Sequence, residues 1–325
     1  MSALHRTAVS LAALAVACAP MAIGSSASAA VVSAPAASTA PCLSSVTDPT
    51  ATRVAGGRTW HRDTHDVTQR DLDALPVAET RPGYVKREVE PRLPDSVRIP
   101  VYAHVIKGKH KGERPRIRKP RIQYSLNILN NSMAGRQSSL STNARYRFYL
   151  AGVSYSRNDR WYHAFLNGPR DQQMKRRLHR GNARALNLYL NGGGTRQNGI
   201  LGWSRFPWQY AGAPKLDGVS INVDALPGGR FRGYNLGDTL VHETGHWLGL
   251  FHTFQGGCDD PGDFVPDTPA EAEPAEGCVT TSDTCSSPGL DPVHNFMDYS
   301  LDSCMNMFTA GQVRRMDAAF EKWRF

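Results

Sequence analysis

Residues 242–252 of this 325-residue chain read His-Glu-Thr-Gly-His-Trp-Leu-Gly-Leu-Phe-His. On a helix, residues four apart lie on one face, so His242 and His246 are predicted to point both imidazoles at a single metal ion. A straight helix would carry His252 away from that ion, and we expect Gly249 to end the helix in a left-handed conformation. Three neutral imidazoles suit Zn²⁺ and leave a fourth position open, as in catalytic zinc sites.

The glutamate of this stretch, Glu243, falls next to the metal-facing side of the predicted helix, where a carboxylate can take up and release a proton. Asn235 and Asp238 fit the start of the helix, because its positive end favours a carboxylate. A structural zinc site is disfavoured, since no fourth protein ligand stands nearby in the sequence. Five specified residues at these offsets arise by chance with a probability on the order of 10⁻⁴ or less, so we interpret the stretch as a catalytic zinc helix.

Upstream of this helix, strand and helix patterns alternate. Apolar residues at every second position predict a strand from Val97 to Val105, and Pro100 within it indicates a sheet edge or a strand start. Further strands are predicted at 146–155, 185–190 and 219–223, and helices over 122–133 and 170–178. The alternation is typical of a mixed α/β layer structure, and we expect an extended substrate to bind along a sheet edge at 218–223.

Downstream of the helix the regular patterns end. The stretch 253–303 is rich in Gly, Pro, Asp and Cys and is too long for an ordinary loop, so disulfides or metal ions are expected to fasten it. Eleven Asp or Glu and no Lys or Arg lie within 258–302, and calcium or a basic substrate would neutralise them. Thr309 and Gln312 form a capping-box pair, and the apolar stripe that follows predicts a C-terminal helix.

The N-terminal residues have the order of an export signal. A short basic start leads into an apolar stretch and then into a run of Ser and Ala, with cleavage expected near Ala29. No later stretch offers about 18 consecutive apolar residues, so no membrane association is expected after cleavage. We therefore predict a secreted, extracellular protein with a signal peptide over 1–29, a pro-segment or linker over 30–95 and a catalytic domain over 96–325.

Export leads to an oxidising compartment, where cysteines pair. Four cysteines cluster near the C-terminus, and they are Cys258, Cys278, Cys285 and Cys304. Four thiols allow three pairings, and the sequence alone does not choose among them. Cys42, in the predicted pro-segment, is the odd one.

The formal net charge is +9, and eight Lys or Arg lie within 107–121. Such a stretch favours nucleic acid or an anionic surface as a partner, but here it carries Gly and Pro and no interleaved aromatic residues. We therefore interpret it as a solvated loop and expect no nucleic-acid partner.

Several motifs beyond the zinc helix carry a family resemblance. They are Leu201-Gly202-Trp203-Ser204-Arg205-Phe206-Pro207, Asp217-Gly218-Val219, Leu226-Pro227-Gly228-Gly229, the segment 251–258, and His294-Asn295-Phe296-Met297-Asp298-Tyr299-Ser300. Together with the zinc motif they resemble the metzincins, and within these the pappalysin or cytophagalysin-like family of secreted metallopeptidases. The likeness covers most of 97–325.

The resemblance implies a two-subdomain metallopeptidase of the α/β, or α+β, class. A twisted mixed sheet and the zinc helix would lie above a cleft, and an irregular, disulfide-linked lower subdomain with a Met-turn and the C-terminal helix would lie below it. Met297 would be the Met-turn residue beneath the three histidines. Tyr299 would approach the zinc and steady the tetrahedral intermediate.

The resemblance also implies the disulfides Cys258–Cys285 and Cys278–Cys304. Cys42 is a candidate zinc-blocking thiol of the pro-segment, which would make the chain a zymogen. No Gly follows Cys42, and in this it departs from the expected pattern.

Calcium in the acidic loop after the third histidine is a further implication of the resemblance. Asp263, Asp267 and Thr268 offer oxygen ligands suited to Ca²⁺. Solvation of the loop by water is the competing interpretation of these polar residues.

The predicted activity is peptide-bond hydrolysis by a monomeric zinc endopeptidase with one catalytic zinc ion, protein or peptide substrates, and Glu243 as general base and acid. A catalytically inactive secreted binding protein with the same cleft is a rival prediction, and the intact Glu243 argues against it. A surface-adhesive protein that uses the basic stretch 107–121 and a zinc amidase that acts on cell-wall peptides are two further functions compatible with the sequence.

Overall fold

The structure is a computed structural model of the chain, and it describes residues 52–54, 67, 69–75, 93–113, 115–193 and 200–325. The predicted signal peptide and Cys42 lie outside these residues. Within the described ranges, no helix has both the length and the apolar character needed to cross a membrane.

A mixed sheet of six strands organises the described part of the chain, in the order β1-β5-β6-β4-β2-β3. The strands are β1 (Thr52–Val54), β2 (Val97–Lys107), β3 (Tyr146–Arg157), β4 (Leu186–Asn191), β5 (Ile200–Ser204) and β6 (Val219–Asn222). The helices are α1 (Gln69–Ala74), α2 (Lys119–Met133), α3 (Asp159–Tyr162), α4 (Pro169–Leu178), α5 (Asp238–Trp247) and α6 (Ala310–Trp323). Strands β2, β3, β4 and β6 are parallel, whereas β5 runs antiparallel to β6 and β1. The predicted mixed α/β class is confirmed.

Pro100 lies in the first part of a central strand. It pairs with Tyr149 of β3, but pairing with β4 begins only at Val101. At Pro100, β2 is therefore paired with β3 but not with β4. A proline is tolerated there because it has no backbone N–H to donate to a second strand. The predicted edge position is wrong for β2 as a whole, and Pro100 is the fourth residue of the strand rather than its start.

Strand β6 has a bonded neighbour on each side. Val219 pairs with Leu188 of β4 and also with Ser204 of β5. The prediction that residues 218–223 offer a free edge to substrate is therefore wrong. Next to β6 lies β5, a five-residue strand that contains a glycine and that the sequence patterns did not predict. Strand β5 pairs in turn with β1, which is the edge strand on this side of the described sheet.

Helices α2 and α5 pack against the sheet and against each other, and they enclose the main apolar core. The stripe predicted for α2 is buried there, and its members are Ile122, Leu126, Leu129 and Met133. Each such side chain contributes about 1.5–3 kcal/mol by leaving water. This core holds α5 in a fixed position over the sheet.

The chain between α5 and α6 has little regular structure. The bonds Cys258–Cys285 and Cys278–Cys304 fasten it, and these are the two pairs that the family resemblance implied. Helix α6 begins at the predicted capping box, in which the Thr309 hydroxyl accepts the Gln312 N–H at 3.1 Å. In return, Gln312 Oε1 accepts the Thr309 N–H at 3.0 Å.

Two buried arginines from the C-terminal region hold the end of the zinc helix, a feature that the sequence did not predict. Arg315 Nε donates to the carbonyl of Gly249 at 2.8 Å, and Arg324 Nε donates to that of Trp247 at 3.0 Å. Arg324 also pairs with both carboxylate oxygens of Asp217 at 3.1 Å. Cations at the C-terminal end of α5 complement the helix dipole, so they stabilise the turn that follows it.

Replacing Arg324 by methionine is expected to lower the free energy of unfolding by about 3–5 kcal/mol, because it leaves the buried Asp217 carboxylate without its cation. Urea unfolding of the purified protein measures the change. Arg314→Met, on the exposed side of α6, is the control and should stay within about 0.5 kcal/mol of the parent. Equal midpoints for the two variants would contradict the role of the buried pair.

Candidate metal centre

Helix α5 carries the first two histidines, and all of its residues are buried. Asp238 lies in its first turn, as predicted. Just before the helix, Asp302 Oδ2 accepts the N–H groups of Leu236 and Gly237 at 2.8 and 3.1 Å. The lower part of the chain therefore fixes the helix at its start as well as at its end.

The three histidines meet with their Nε2 atoms turned toward one another. His246 Nε2 lies 3.0 Å from His242 Nε2 and 3.1 Å from His252 Nε2, and all three side chains are fully buried. On the far side of two rings, Nδ1 donates to a backbone carbonyl at 2.7 Å, His242 to Phe296 and His246 to Leu250. In His242 and His246, these bonds place the proton on Nδ1 and leave the lone pair on Nε2.

This set fits a zinc ion in spacing and in chemistry. Tetrahedral coordination with Zn–N bonds of 2.0–2.1 Å places neighbouring nitrogens about 3.3–3.4 Å apart, close to the observed 3.0 and 3.1 Å. Burial lowers the pKa of His252 to about 3, and burial together with His252 lowers the pKa of His246 well below its ordinary value. Neutral imidazole is the form that binds a metal ion.

The predicted change of direction at Gly249 is present. Its φ is +104°, in the region that favours glycine, and a Cβ there would stand only 2.8 Å from Ala319 Cβ of α6. Leu250 donates its N–H to the carbonyl of Gly245 at 3.0 Å, which closes the turn. The chain then returns His252 to the side of the other two histidines.

Glu243 is fully buried, and its side chain lies against the backbone of β5. A Cβ on Gly202 would stand 2.8 Å from Glu243 Cγ and 2.9 Å from Oε1. Only glycine lets the strand and the carboxylate approach in this way. The candidate proton-transfer residue and the antiparallel part of the sheet therefore adjoin, which the zinc motif did not indicate.

Met297 lies against the zinc helix at Gly245, where an added Cβ would collide with the methionine Sδ. Its carbonyl accepts the N–H of Thr253 at 3.3 Å, and the carbonyl of the preceding Phe296 holds His242. The segment predicted as a Met-turn therefore contacts both the helix and the chain just beyond the third histidine.

Aromatic rings surround the histidines. The Tyr299 ring stands edge-on to His252 at a centroid distance of 5.0 Å, and the Phe254 ring stacks on His252 at 4.7 Å. Phe206 stands edge-on to His246 at 5.7 Å. The sequence assigned no role to Phe206 or Phe254, although both lie within the family motifs. Their rings restrict the orientation of the imidazoles.

Asn295 and Gln312 link the segment predicted as a Met-turn to α6. Their buried amides exchange two hydrogen bonds of 2.9 Å, and Asn295 Oδ1 also accepts the N–H of Met297 at 2.9 Å. Phe296, between Asn295 and Met297, presents the carbonyl that orients His242. The amide pair therefore positions the carbonyl that contacts His242, although neither amide belongs to the histidine cluster.

Asn295→Ala is expected to weaken zinc binding by about tenfold, because the carbonyl that orients His242 loses its support. It should also lower the free energy of unfolding by about 1–3 kcal/mol, since the buried Gln312 amide loses its partner. Competition with a zinc chelator measures the affinity. Asn295→Asp keeps the acceptor for the Met297 N–H, so its zinc affinity should lie between those of the parent and Asn295→Ala. Unchanged affinity in Asn295→Ala would contradict the positioning role.

The predicted calcium residues lie in the loop after the third histidine. Asp263 is buried, and this burial raises its pKa to about 7. Asp267 is used as a cap for α6, where it accepts the Thr309 hydroxyl and the Gly311 N–H, both at 2.7 Å. Thr268 follows Asp267 in the same turn. Asp263 and Asp267 are therefore both fixed by contacts within the protein, Asp263 by burial and Asp267 by its hydrogen bonds to the start of α6.

Comparison with known proteins identifies the family. The peptidase family model described as Pregnancy-associated plasma protein-A matches residues 169–321, which include the three histidines and Met297. An extracellular metalloprotease of Sordaria macrospora is 38% identical over 240 residues, which cover 70% of this chain and 76% of that protein. The chain belongs to the pappalysin-like metallopeptidases. Like other members of this metzincin family it acts on proteins or peptides, and the family implies a zinc ion.

Two solved structures of one related protein, mirolysin, are similar to this metallopeptidase. Mature mirolysin of Tannerella forsythia in complex with a cleaved peptide has a TM-score of 0.57 at 28% identity and covers 70% of this chain and 96% of its own. A promirolysin mutant has a TM-score of 0.59 at 25% identity and covers 78% and 85%. These matches confirm the fold class that the sequence predicted.

Proposed function

We propose that this metallopeptidase is a secreted, monomeric zinc endopeptidase in which His242, His246 and His252 hold the metal and Glu243 transfers protons. The observation that carries the proposal is the convergence of three buried Nε2 atoms, 3.0 and 3.1 Å apart, beside a buried glutamate. A zinc ion bound there supplies Lewis acidity to the scissile carbonyl and the attacking water.

Glu243 accepts the proton of the attacking water and returns it to the leaving amine. Its burial against β5 keeps bulk water from competing for that proton. The O–H of Tyr299, whose ring contacts His252, donates a hydrogen bond to the negative charge that develops on the carbonyl oxygen. Met297 supports the helix from below and takes no part in proton transfer.

The substrate binds in an extended conformation, antiparallel to β5, through backbone hydrogen bonds. Two features support this placement. Residues 52–54 already pair with β5 in this direction, with Arg53 opposite Gly202. Gly202 in turn lies against Glu243, so a strand bound here crosses the catalytic carboxylate.

The same pairing supports latency before maturation. Strand β1 belongs to the predicted pro-segment, and so does α1. Leu72 of this helix and Leu75, just after it, pack against Phe206 and Trp208. Asp71 of α1 accepts the Trp208 Nε1 hydrogen at 2.7 Å. The pro-segment covers the strand that substrate needs, and cleavage before residue 96 exposes it.

Replacing both Arg53 and Val54 by proline is expected to raise the activity of the uncleaved chain several-fold, because proline removes backbone donors from β1. Hydrolysis of a fluorogenic peptide measures the effect. Arg53→Ala keeps the backbone donors and should stay near the parent activity. Cys42→Ala, measured in parallel, separates release of a zinc-blocking thiol from release of the strand. If the proline variant is no more active than the parent, β1 does not block the site.

Cleavage of unfolded casein by the matured protein tests the proposed function. Complete removal of zinc should abolish cleavage, and one equivalent of zinc per chain should restore it. Activity that survives zinc removal would overturn the proposal. Release of amide-linked fragments from cell-wall peptides without any cleavage of casein would favour the amidase, and binding without turnover would favour the inactive binding protein.

Calcium in the acidic loop is a second proposal. Burial disfavours the ionised form of Asp263, and a divalent cation nearby would stabilise it. Millimolar calcium should raise the unfolding temperature of the parent protein and leave that of Asp263→Asn unchanged. Equal shifts in the two proteins would place the calcium effect away from Asp263, and no shift in the parent would favour solvation of the loop.

A further inference from the structure

Two segments leave the sheet side by side at the ends of β2 and β3. These strands are parallel, and their last residues, Lys107 and Arg157, are paired. The chain after β2 carries His110 and Glu113, and the chain after β3 carries Asp159. The carboxyl ends of parallel strands meet at one edge of a sheet, so the segments that follow them start next to each other.

Metal-binding side chains of both segments converge at this edge. One donor atom each of His110, Glu113 and Asp159 lies within 4.8 Å of the other two. A fourth donor faces the same carboxylates, since His163 Nε2 lies 3.1 Å from Glu113 Oε1 and 3.8 Å from Asp159 Oδ1. Two imidazoles and two carboxylates, brought together from distant parts of the chain, form this cluster.

Backbone hydrogen bonds hold the cluster in place. Asp159 Oδ1 accepts the Lys109 N–H at 3.2 Å, and Glu113 Oε2 accepts the His110 N–H at 3.1 Å. His163 donates its N–H to the Asp159 carbonyl at 3.2 Å, which keeps the two side chains four residues apart on one helical face. The donors are therefore positioned by the fold rather than by their mutual attraction alone.

We propose that His110, Glu113, Asp159 and His163 form a second metal site, which takes a borderline divalent cation such as Zn²⁺. Mixed imidazole and carboxylate ligands suit Zn²⁺, whereas Ca²⁺ and Mg²⁺ prefer oxygen ligands alone. Strand β2 stands three strand positions from β5, or about 14 Å across the sheet. The cluster is therefore separate from the catalytic histidines.

The proposed role of this site is to brace the basic stretch 107–121. Within that stretch Lys109 and Lys111 are exposed beyond the end of β2, and exposed segments with such residues are where proteases cut. A metal ion bound by Glu113 on one side and by Asp159 on the other ties the loop to α3. The role does not depend on the catalytic proposal, because any protease in the surroundings can attack the loop.

Equilibrium dialysis of the full chain against Zn²⁺, with bound metal measured by elemental analysis, tests the site. The parent is expected to bind two ions per chain, and the double variant His110→Ala with His163→Ala one. Loss of two ligands should weaken the second binding step by at least about tenfold. If the parent and the double variant both bind two zinc ions per chain with equal affinity, or both bind one, the proposal is overturned.

Neighbouring residues supply matched controls. Lys109 Nζ lies 3.9 Å from Asp159 Oδ2, so Lys109→Ala removes a competing cation and should leave the second ion bound at least as tightly. Arg160→Ala, within α3, should leave it unchanged. If Lys109→Ala abolishes the second step, the proposed set of four ligands does not account for the second ion.

Limited trypsin digestion gives an independent readout. Zn²⁺ should slow cleavage at Lys109 and Lys111 in the parent and leave the rate in the double variant unchanged, whereas Ca²⁺ should protect neither. Casein hydrolysis by the double variant shows that it is folded. Equal protection of parent and variant by Zn²⁺ would contradict the brace.

Discussion

Glu243→Ala is expected to lower kcat/KM for protein hydrolysis on the order of 10²–10⁴-fold, because the group that moves the proton is lost. Zinc content should stay at the parent value, since the three Nε2 atoms and their carbonyl contacts are untouched. The measurement pairs initial rates on a fluorogenic peptide with elemental analysis. Unchanged rates in this variant would refute the role of Glu243.

Glu243→Gln is the matched control for the packing of this side chain. It keeps the length that fits against Gly202 but cannot accept a proton as a carboxylate does. We expect it to be as inactive as Glu243→Ala and to unfold at the same urea concentration as the parent. An active Glu243→Gln would assign the role of Glu243 to packing and not to proton transfer. If the parent turns the peptide over and both variants bind it without turnover, the chain is not an inactive binding protein in its natural state.

His252→Ala is expected to weaken zinc binding by at least about 10²-fold and to abolish detectable hydrolysis. Removing an outer contact of a ligand already costs 10–100-fold in metal affinity, and here a whole ligand is lost. The two remaining imidazoles stand on one helix and cannot enclose the ion without the third. Competition with a chromogenic chelator measures the affinity.

Phe254→Leu separates loss of the ligand from loss of aromatic packing. Phe254 stacks on His252 with ring centroids 4.7 Å apart, so this variant keeps the imidazole but removes its supporting ring. Its zinc affinity should fall by less than about tenfold. Zinc bound by His252→Ala as tightly as by the parent would contradict the assignment of His252, whatever its activity.

The sequence predicted the elements that rest on local patterns. The stripe of α2 and the capping box of α6 depend on residues three or four apart, and both are present. The turn at Gly249 followed from the need to return a third histidine, and its φ of +104° agrees. Such features are set by neighbours in the chain, so they can be predicted from it.

Other features escaped prediction because their causes lie far apart in the chain. Strand β5 is short and contains Gly202, whose role becomes clear only when Glu243 is seen against it. Long charged side chains are ordinarily exposed, so the burial of Arg315 and Arg324 had no signal in the sequence. The free edge assigned to β6 was wrong, since strand order depends on pairings between distant segments.

By itself, the sequence singled out the three histidines that converge, the glutamate beside them and the class of the fold, because a helix repeats every 3.6 residues and brings His242 and His246 to one face. Only the tertiary structure decided which strand borders the buried Glu243 carboxylate, which carbonyls orient His242 and His246, and that His110 and His163 face the same two carboxylates. These relations are contacts between residues far apart in the chain, and they exist only once the sheet and the core have brought the segments together.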